Sequence, residues 1–152
     1  MIKLASRFAL LAAIASTVAV PAAAAGTPMR DNNFEYTITE VKNAGSRIDT
    51  GRAWRNAYGT FEVVTATITN IGSEGHGYYG PSRLIDNQGR GSDEDTLSSD
   101  DLNSAQTGLD LFLLKPAESV TFQMVFDVPT DTEPAYVMMR ELSSAPGVKV
   151  AV

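Results

Sequence analysis

An alternation of apolar and mostly polar residues between Val120 and Val128 is the feature that most limits how this chain can fold. Thr121, Gln123 and Asp127 lie between apolar neighbours in this run. Because successive side chains of a strand point to opposite faces of a sheet, the period predicts a strand with one buried face. No segment after residue 25 shows a sustained helical period, so we expect any helices to be single turns in loops.

Several shorter runs predict further strands. Phe34–Thr39 and Val64–Thr69 alternate in the same way and are rich in β-branched and aromatic residues. Gly, Pro, Asn or Asp bound the remaining predicted strands, which are Arg83–Asp86, Leu109–Leu114, Tyr136–Glu141 and Val148–Val152. The turn residues Asp86–Gly89 predict a hairpin. About seven short strands predict an all-β chain, for which an antiparallel β-sandwich is the simplest packing.

Residues 1–25 have the composition of a cleavable secretory signal peptide. Lys3 and Arg7 form a basic head, residues 8–20 are uncharged and largely aliphatic, and small residues follow Pro21. The apolar run is shorter than the about 20 residues that cross a bilayer, so we predict no stable membrane anchor after cleavage. We expect an extracytoplasmic protein, periplasmic or secreted, with a flexible segment at 26–33 and one domain at 34–152.

Charge and cysteine content exclude several classes of function. The chain has no cysteine, which rules out disulfides, thiol chemistry and a lipid-anchoring cysteine. The formal net charge of -6 becomes -6 - 2 = -8 once Lys3 and Arg7 are removed. Because such a surface repels phosphates, we expect no nucleic-acid binding.

Three local patterns support a family resemblance. They are Phe61–Asn70, then Leu84–Arg90, then Leu114–Ser119 leading to Phe126–Pro129. Their order and spacing resemble the telokin-like family of exported bacterial domains of unknown function, which is related to a secreted mycobacterial immunogenic antigen. The resemblance implies an immunoglobulin-like sandwich preceded by a signal-peptide helix, and it brings no catalytic residues. Ala117 stands where the family usually has Gly, and alanine disfavours a positive-φ turn.

An acidic stretch gives the sharpest hypothesis for a metal site. Its carboxylates are Asp93, Glu94, Asp95, Asp100 and Asp101, with Asp110 further along. Carboxylate oxygens are the ligands that Ca²⁺ prefers, although the spacing does not match an EF-hand loop. A calcium-binding extracytoplasmic domain is therefore one alternative, and a solvated loop between strands is the other. We expect no further cofactor.

His76 is the only histidine and lies in the glycine-rich stretch 72–80, which predicts an exposed, pliable loop. A lone histidine cannot build a zinc site, and no nucleophile-elbow sequence surrounds any serine. The chain is therefore predicted to be non-enzymatic. The remaining catalytic alternative is an envelope-polymer hydrolase, which would need two carboxylates across a cleft; we expect no such cleft.

Aromatic residues provide the candidate binding surface. They are Trp54, Tyr58, Tyr78 and Tyr79, together with His76, and Arg52 and Arg55 lie near the first two. Amphipathic side chains of this kind dominate recognition surfaces. The interpretation we favour at this point is that Trp54 and Tyr58 cap the core. The predicted function is recognition of a protein or envelope component by a monomer or weak homo-oligomer.

Overall fold

The computed structural model describes residues 26–104 and 113–152, so the predicted signal peptide, Asp110 and residues 109–112 of a predicted strand lie outside the described residues. Within the described ranges the chain forms eight strands and one helix. In chain order these are β1 (Met29–Arg30), β2 (Phe34–Asp49), β3 (Trp54–Asn70), β4 (Arg83–Asp86), β5 (Gly91–Asp93), α1 (Thr96–Ser104), β6 (Ser119–Val128), β7 (Pro134–Met139) and β8 (Val148–Ala151).

The strands form two antiparallel four-stranded sheets, with strand orders β1-β2-β3-β6 and β5-β4-β7-β8. The predicted all-β sandwich is thereby confirmed. The predicted strand Arg83–Asp86 is β4, and the predicted hairpin joins it to β5. Gly89 in that turn has a φ of +80°, which glycine adopts without the steric cost of a Cβ.

The hairpin of β2 and β3 is much longer than the sequence indicates, at 16 and 17 residues. The pairing register shifts after Ile38, Asn43 and Gly45. Each such irregularity changes which positions, odd or even, face the core. The apolar residues of the strand therefore no longer alternate regularly along the sequence. Since β6 pairs with β3 only from Thr60 onward, the tip of the β2–β3 hairpin extends past the end of β6.

The main core lies between the two sheets. Its fully buried side chains include Phe34 and Tyr36 from β2, Phe126 from β6, and Val137 and Met139 from β7. Burial of this apolar area is the principal source of stability in a chain without disulfides. A second, smaller cluster on the opposite face of the first sheet contains Ile48, Phe61, Val63 and Val125, with Leu102 of α1 packed against it.

The helix α1 contradicts the expectation of single helical turns, since it has nine residues. Its buried residues are all polar: Ser98, Ser99, Asp101 and Asn103. A helix of this composition has no apolar stripe, and therefore no helical period that the sequence could reveal. Hydrogen bonds to neighbouring strands hold α1 against the sheet instead.

Those bonds cover the free edge of β6. The side-chain amide of Asn103 donates to the carbonyl oxygen of Gln123 at 2.7 Å, and its oxygen accepts from the Gln123 N–H at 2.8 Å. The Val125 N–H donates to Oγ of Ser99 at 2.9 Å. Unpaired backbone groups on a sheet edge invite aggregation, and α1 satisfies them here with side chains.

Ala117 adopts the turn that its Cβ disfavours. Its φ is +63°, and no other described non-glycine residue has a positive φ. The turn is nevertheless closed, because Glu118 N donates to the Lys115 carbonyl oxygen at 3.0 Å and Ala117 N donates to that of Asn70 at 2.9 Å. The positive-φ turn that alanine disfavours is therefore present at Ala117.

We expect Ala117→Gly to stabilise the protein. The left-handed region costs a non-glycine residue about 1–2 kcal/mol, and relief of that strain outweighs the about 0.4–1 kcal/mol from the added entropy of the unfolded chain. The free energy of unfolding should rise by about 0.5–1 kcal/mol, measured by urea titration. Ala57→Gly, in a strand, is the matched control and should lower the stability instead. A decrease in the free energy of unfolding of Ala117→Gly would contradict the claim that this turn is strained.

Candidate functional site

Trp54 and Tyr58 are exposed on the tip of the long hairpin. Their relative exposures are 57% and 105%. Because β3 runs past the end of β6 here, neither ring reaches the space between the sheets. The interpretation that these two residues cap the core is therefore wrong, and both rings stand on the surface.

Arg47 on β2 holds the indole ring of Trp54. Its guanidinium carbon lies 4.3 Å from the ring centroid, an arrangement stabilised by the electron-rich ring face. Neighbouring pairs fix the hairpin tip below it: Arg55 donates to Asp101 at 2.8 Å, and the Thr50 hydroxyl donates to the same carboxylate oxygen at 3.2 Å. The tip is thereby tied to α1. The hydrogen bond from Arg55 lowers the pKa of Asp101.

Asp127 at the end of β6 fixes the backbone under Tyr58. Its Oδ2 accepts from the Tyr58 N–H at 2.7 Å, and its Oδ1 accepts from the Gly59 N–H at 3.1 Å. A Cβ on residue 59 would lie 2.1 Å from the carbonyl oxygen of Val128, so only glycine allows this close approach. The fully exposed ring of Tyr58 is thus carried on backbone held at two points.

An open depression of about 640 Å³ lies beside Tyr58. Its lining residues are Tyr58, Gly59, Asp95, Asp127, Val128 and Pro129. Three segments of the chain meet there: β3, the residue that precedes α1, and the end of β6. Two carboxylates therefore share this open depression, whereas from the sequence we expected no cleft with two carboxylates.

Each of these two carboxylates already accepts hydrogen bonds from the chain. Asp95 caps α1, with Oδ1 accepting from the Ser98 N–H at 3.2 Å and Oδ2 accepting from the Ser98 hydroxyl at 2.6 Å. Asp127 accepts the two backbone bonds under Tyr58. The six ion pairs of the described residues include neither carboxylate. Both negative charges therefore face the depression without a cationic partner.

The other carboxylates of the acidic stretch point to different places. Asp93 is exposed and lies 3.5 Å from Arg83, Glu94 accepts from the Ser82 N–H at 3.1 Å, and Asp101 pairs with Arg55. Asp100 is exposed on α1. Across residues 26–104 and 113–152 there is no group of three or more His, Cys, Asp or Glu side chains that could hold a metal ion. The structure does not bring the predicted calcium ligands together.

Two glutamates, Glu62, which is buried, and Glu94, which is half-buried, lack a cationic partner among the described contacts. Burial raises the pKa of Glu94, and the hydrogen bonds from Ser82 and Ser99 oppose the rise. Burial likewise raises the pKa of Glu62, which accepts from the Asn43 amide at 2.7 Å. Neither residue lines the depression, so we assign them no part in binding.

Glu62→Gln should stabilise the protein at neutral pH. A raised pKa means that Glu62 contributes stability below its usual value of 4.5 and that this contribution is lost as the pH rises through the folded-state value. Glutamine keeps an oxygen for Asn43 and carries no charge. The melting temperature should rise by a few degrees at pH 7 and match wild type near pH 4. Exposed Glu40→Gln is the control, and an equal rise in both variants would contradict the burial argument.

The remaining predicted contact residues lie at the opposite end of the sandwich. Tyr78 is only 6% exposed and packs in the main core, with its hydroxyl 2.8 Å from that of Ser82, so its assignment to a binding surface is wrong. His76 pairs through its backbone with Leu114, and its Nδ1 lies 3.4 Å from Glu141. Its ring also meets that of Phe34 edge-on. Tyr79 is 55% exposed but lies apart from the hairpin tip.

Comparison with known proteins agrees with this architecture. The chain belongs to the DUF4352 family, described as a domain of unknown function, whose family model matches residues 23–146. No match was found among curated proteins.

Solved structures of low sequence identity share the fold. A conserved hypothetical protein from Bacillus anthracis matches with a TM-score of 0.60 and 17% identity, covering 81% of this chain and 91% of the other. An uncharacterised β-sandwich protein from Clostridium difficile matches with a TM-score of 0.51 and 15% identity, covering 82% and 88%. The secreted protein MPT63 of Mycobacterium tuberculosis matches with 0.50 and 16%, covering 76% and 83%. The predicted relation to a secreted mycobacterial antigen is confirmed at the level of fold.

Proposed function

We propose that this protein is an exported, non-enzymatic recognition domain that binds a protein or another component of the cell envelope through Trp54 and Tyr58. The observation that carries the proposal is the presentation of Tyr58. Its ring is fully exposed, while Asp127 holds the backbone beneath it with two hydrogen bonds. Because the backbone that carries this large aromatic ring is already held, less conformational freedom is lost when the ring contacts a partner.

Trp54 extends the same surface. It remains 57% exposed while Arg47 lies over its ring, so it presents apolar area next to a positive charge. Trp, Tyr and Arg are the residues enriched among the energetically dominant contacts of interfaces. We call the surface formed by Arg47, Trp54 and Tyr58 the hairpin surface.

The extracytoplasmic setting rests on the composition of residues 1–25 and is part of the proposal. The described residues contain no helix long and apolar enough to cross a membrane. One structural neighbour is a secreted protein. An exported domain meets its partner in the periplasm, on the cell surface or in the medium.

A quantitative capture experiment tests the proposal. The purified protein is immobilised and exposed to envelope and culture-medium extracts of the source cells, and wild type is compared with a Trp54→Ala/Tyr58→Ala double variant. The double variant should enrich the specific partner at least about tenfold less, as expected for two central aromatic contacts. The matched control is Leu97→Ala/Leu142→Ala, which removes two other exposed apolar side chains. Equal capture by all three proteins would contradict the proposal.

A further inference from the structure

The depression beside Tyr58 combines three features that suit one kind of chemical group. Tyr58 borders it, Asp95 and Asp127 line it, and Val128 and Pro129 supply apolar contact area. Its lining contains no basic residue. The chemistry of the depression therefore selects for positive charge and against negative charge.

We infer that this depression is the subsite for a lysine or arginine side chain of the partner protein, held by the Tyr58 ring and the Asp95 and Asp127 carboxylates. The inference rests on the proposed function, because it assigns a chemistry to the partner that the hairpin surface recognises. A cation over the face of a tyrosine ring is attracted by the ring's electron density. Two nearby carboxylates add an attraction that bulk water only partly screens in a concave site.

Hydrogen bonds from the chain fix the orientation of both carboxylates. Each accepts its hydrogen bonds from uncharged donors: the Ser98 N–H and hydroxyl for Asp95, and the backbone N–H groups of residues 58 and 59 for Asp127. Hydrogen bonds of this type orient a carboxylate without neutralising it. An arriving cation therefore meets two fixed negative charges, in a protein whose formal net charge is already -6.

The apolar part of the lining favours a protein side chain over a free polyamine. Lysine and arginine bury their methylene stems against apolar surface while their charged ends bind polar groups, and Val128 and Pro129 offer such a surface. The depression is open and borders Tyr58 of the hairpin surface. A partner segment that places a basic residue here can continue along β3 to contact Trp54.

The test is a titration of the purified protein with three probes: tetralysine, tetraglutamate and spermidine, followed by calorimetry or by amide shifts in NMR spectra. We expect tetralysine to bind weakly, tetraglutamate not to bind, and spermidine to bind more weakly than tetralysine. Binding of tetralysine should decline as salt is raised, because screening reduces attraction between exposed charges. Absence of tetralysine binding, equal binding of tetraglutamate, or tighter binding of spermidine would overturn the inference.

Substitutions locate the binding. Asp95→Asn removes one charge while keeping a good helix cap, and it should weaken tetralysine binding about threefold to fivefold. Tyr58→Ala should weaken it by a similar factor, whereas Tyr58→Phe retains the ring and most of the affinity. The control is exposed Glu74→Gln, which makes the same change in net charge beyond the far end of β3. Equal affinity of Asp95→Asn and Glu74→Gln would show that only net charge matters and would overturn the subsite.

A single variant separates this inference from the proposed function. Trp54 belongs to the hairpin surface but does not line the depression. Trp54→Ala should therefore reduce capture of the partner and leave tetralysine binding unchanged. Loss of capture in Trp54→Ala and Tyr58→Ala, with no effect of Asp95→Asn on either readout, would overturn the cation subsite and leave the recognition function in place.

Discussion

Replacing Asn70 with alanine is expected to lower the free energy of unfolding by about 3–4 kcal/mol, because each buried polar group left without a partner costs about 1–3 kcal/mol. Asn70 is fully buried at the end of β3. Its side-chain amide donates to the carbonyl oxygens of Glu74 at 2.7 Å and Leu114 at 2.8 Å, and its oxygen accepts from Gly72 N at 2.8 Å. Alanine removes all three bonds and leaves the Glu74 carbonyl oxygen and the Gly72 N–H without this partner. The Leu114 carbonyl oxygen, in contrast, keeps the bond from the His76 N–H at 3.0 Å.

Urea unfolding followed by circular dichroism measures this loss. The matched control is Asn56→Ala, which truncates an exposed asparagine of the same strand and should change stability by no more than about 0.5 kcal/mol. Asn70→Asp should be as damaging as Asn70→Ala, because a carboxylate cannot donate to the two carbonyl oxygens. Similar stabilities for Asn70→Ala and Asn56→Ala would refute the bonding network described here.

Truncation of Phe126 should cost about 4 kcal/mol, whereas truncation of Tyr58 should cost less than about 0.5 kcal/mol. Phe126 is fully buried between the two sheets, so its removal loses apolar burial and leaves a cavity. Tyr58 is fully exposed, so its ring supports no packing. The two variants compare the same kind of truncation in the core and on the hairpin surface.

Thermal and urea unfolding of Phe126→Ala and Tyr58→Ala, measured side by side, provide the check. The folded Tyr58→Ala protein can then be used in binding experiments, since any loss of capture cannot be attributed to unfolding. A destabilisation above about 1.5 kcal/mol in Tyr58→Ala would mean that the ring has a structural role. That result would remove the main support for the hairpin surface.

The sequence predicts the strands that show regular alternation or are bounded by clear turn residues. β6 is visible because its apolar side chains keep one phase, and β4 is visible because turn residues bound it. The long hairpin is only partly visible, since three register shifts in β2 break that phase. The helix α1 is not visible at all, because hydrogen bonds that β6 exchanges with Ser99 and Asn103 replace the apolar stripe that a sequence search detects.

The patterns that carry the family resemblance turn out to be structural. Asn70 ends the first pattern and is bonded to Leu114 of the third, while its backbone pairs with Ala117 and Glu118. In the second pattern Asp86 accepts from Gln88 N at 3.0 Å and from Arg90 N at 2.8 Å. These residues join β3 to the turn before β6 and close the hairpin after β4. Because these residues hold the fold together, the resemblance predicts the fold and gives no information about what the protein binds.

The candidate site, in contrast, cannot be predicted from local sequence patterns. The sequence draws attention to Trp54 and Tyr58, but whether these rings are buried depends on how far β3 extends beyond β6, which no local pattern reports. Asp95 and Asp127 are separated by 32 positions in the chain and share the depression only because α1 begins beside the end of β6. Long-range placement of this kind is a property of the tertiary fold.

Site-specific photo-crosslinking in living cells tests the central claim most directly. A benzophenone-bearing amino acid is placed at position 58 and, in a second protein, at position 79, where Tyr79 is also exposed but lies at the other end of the sandwich. We expect irradiation to yield a discrete crosslinked envelope or secreted partner from position 58 and none from position 79. Crosslinking from position 79 alone would contradict recognition through the hairpin surface.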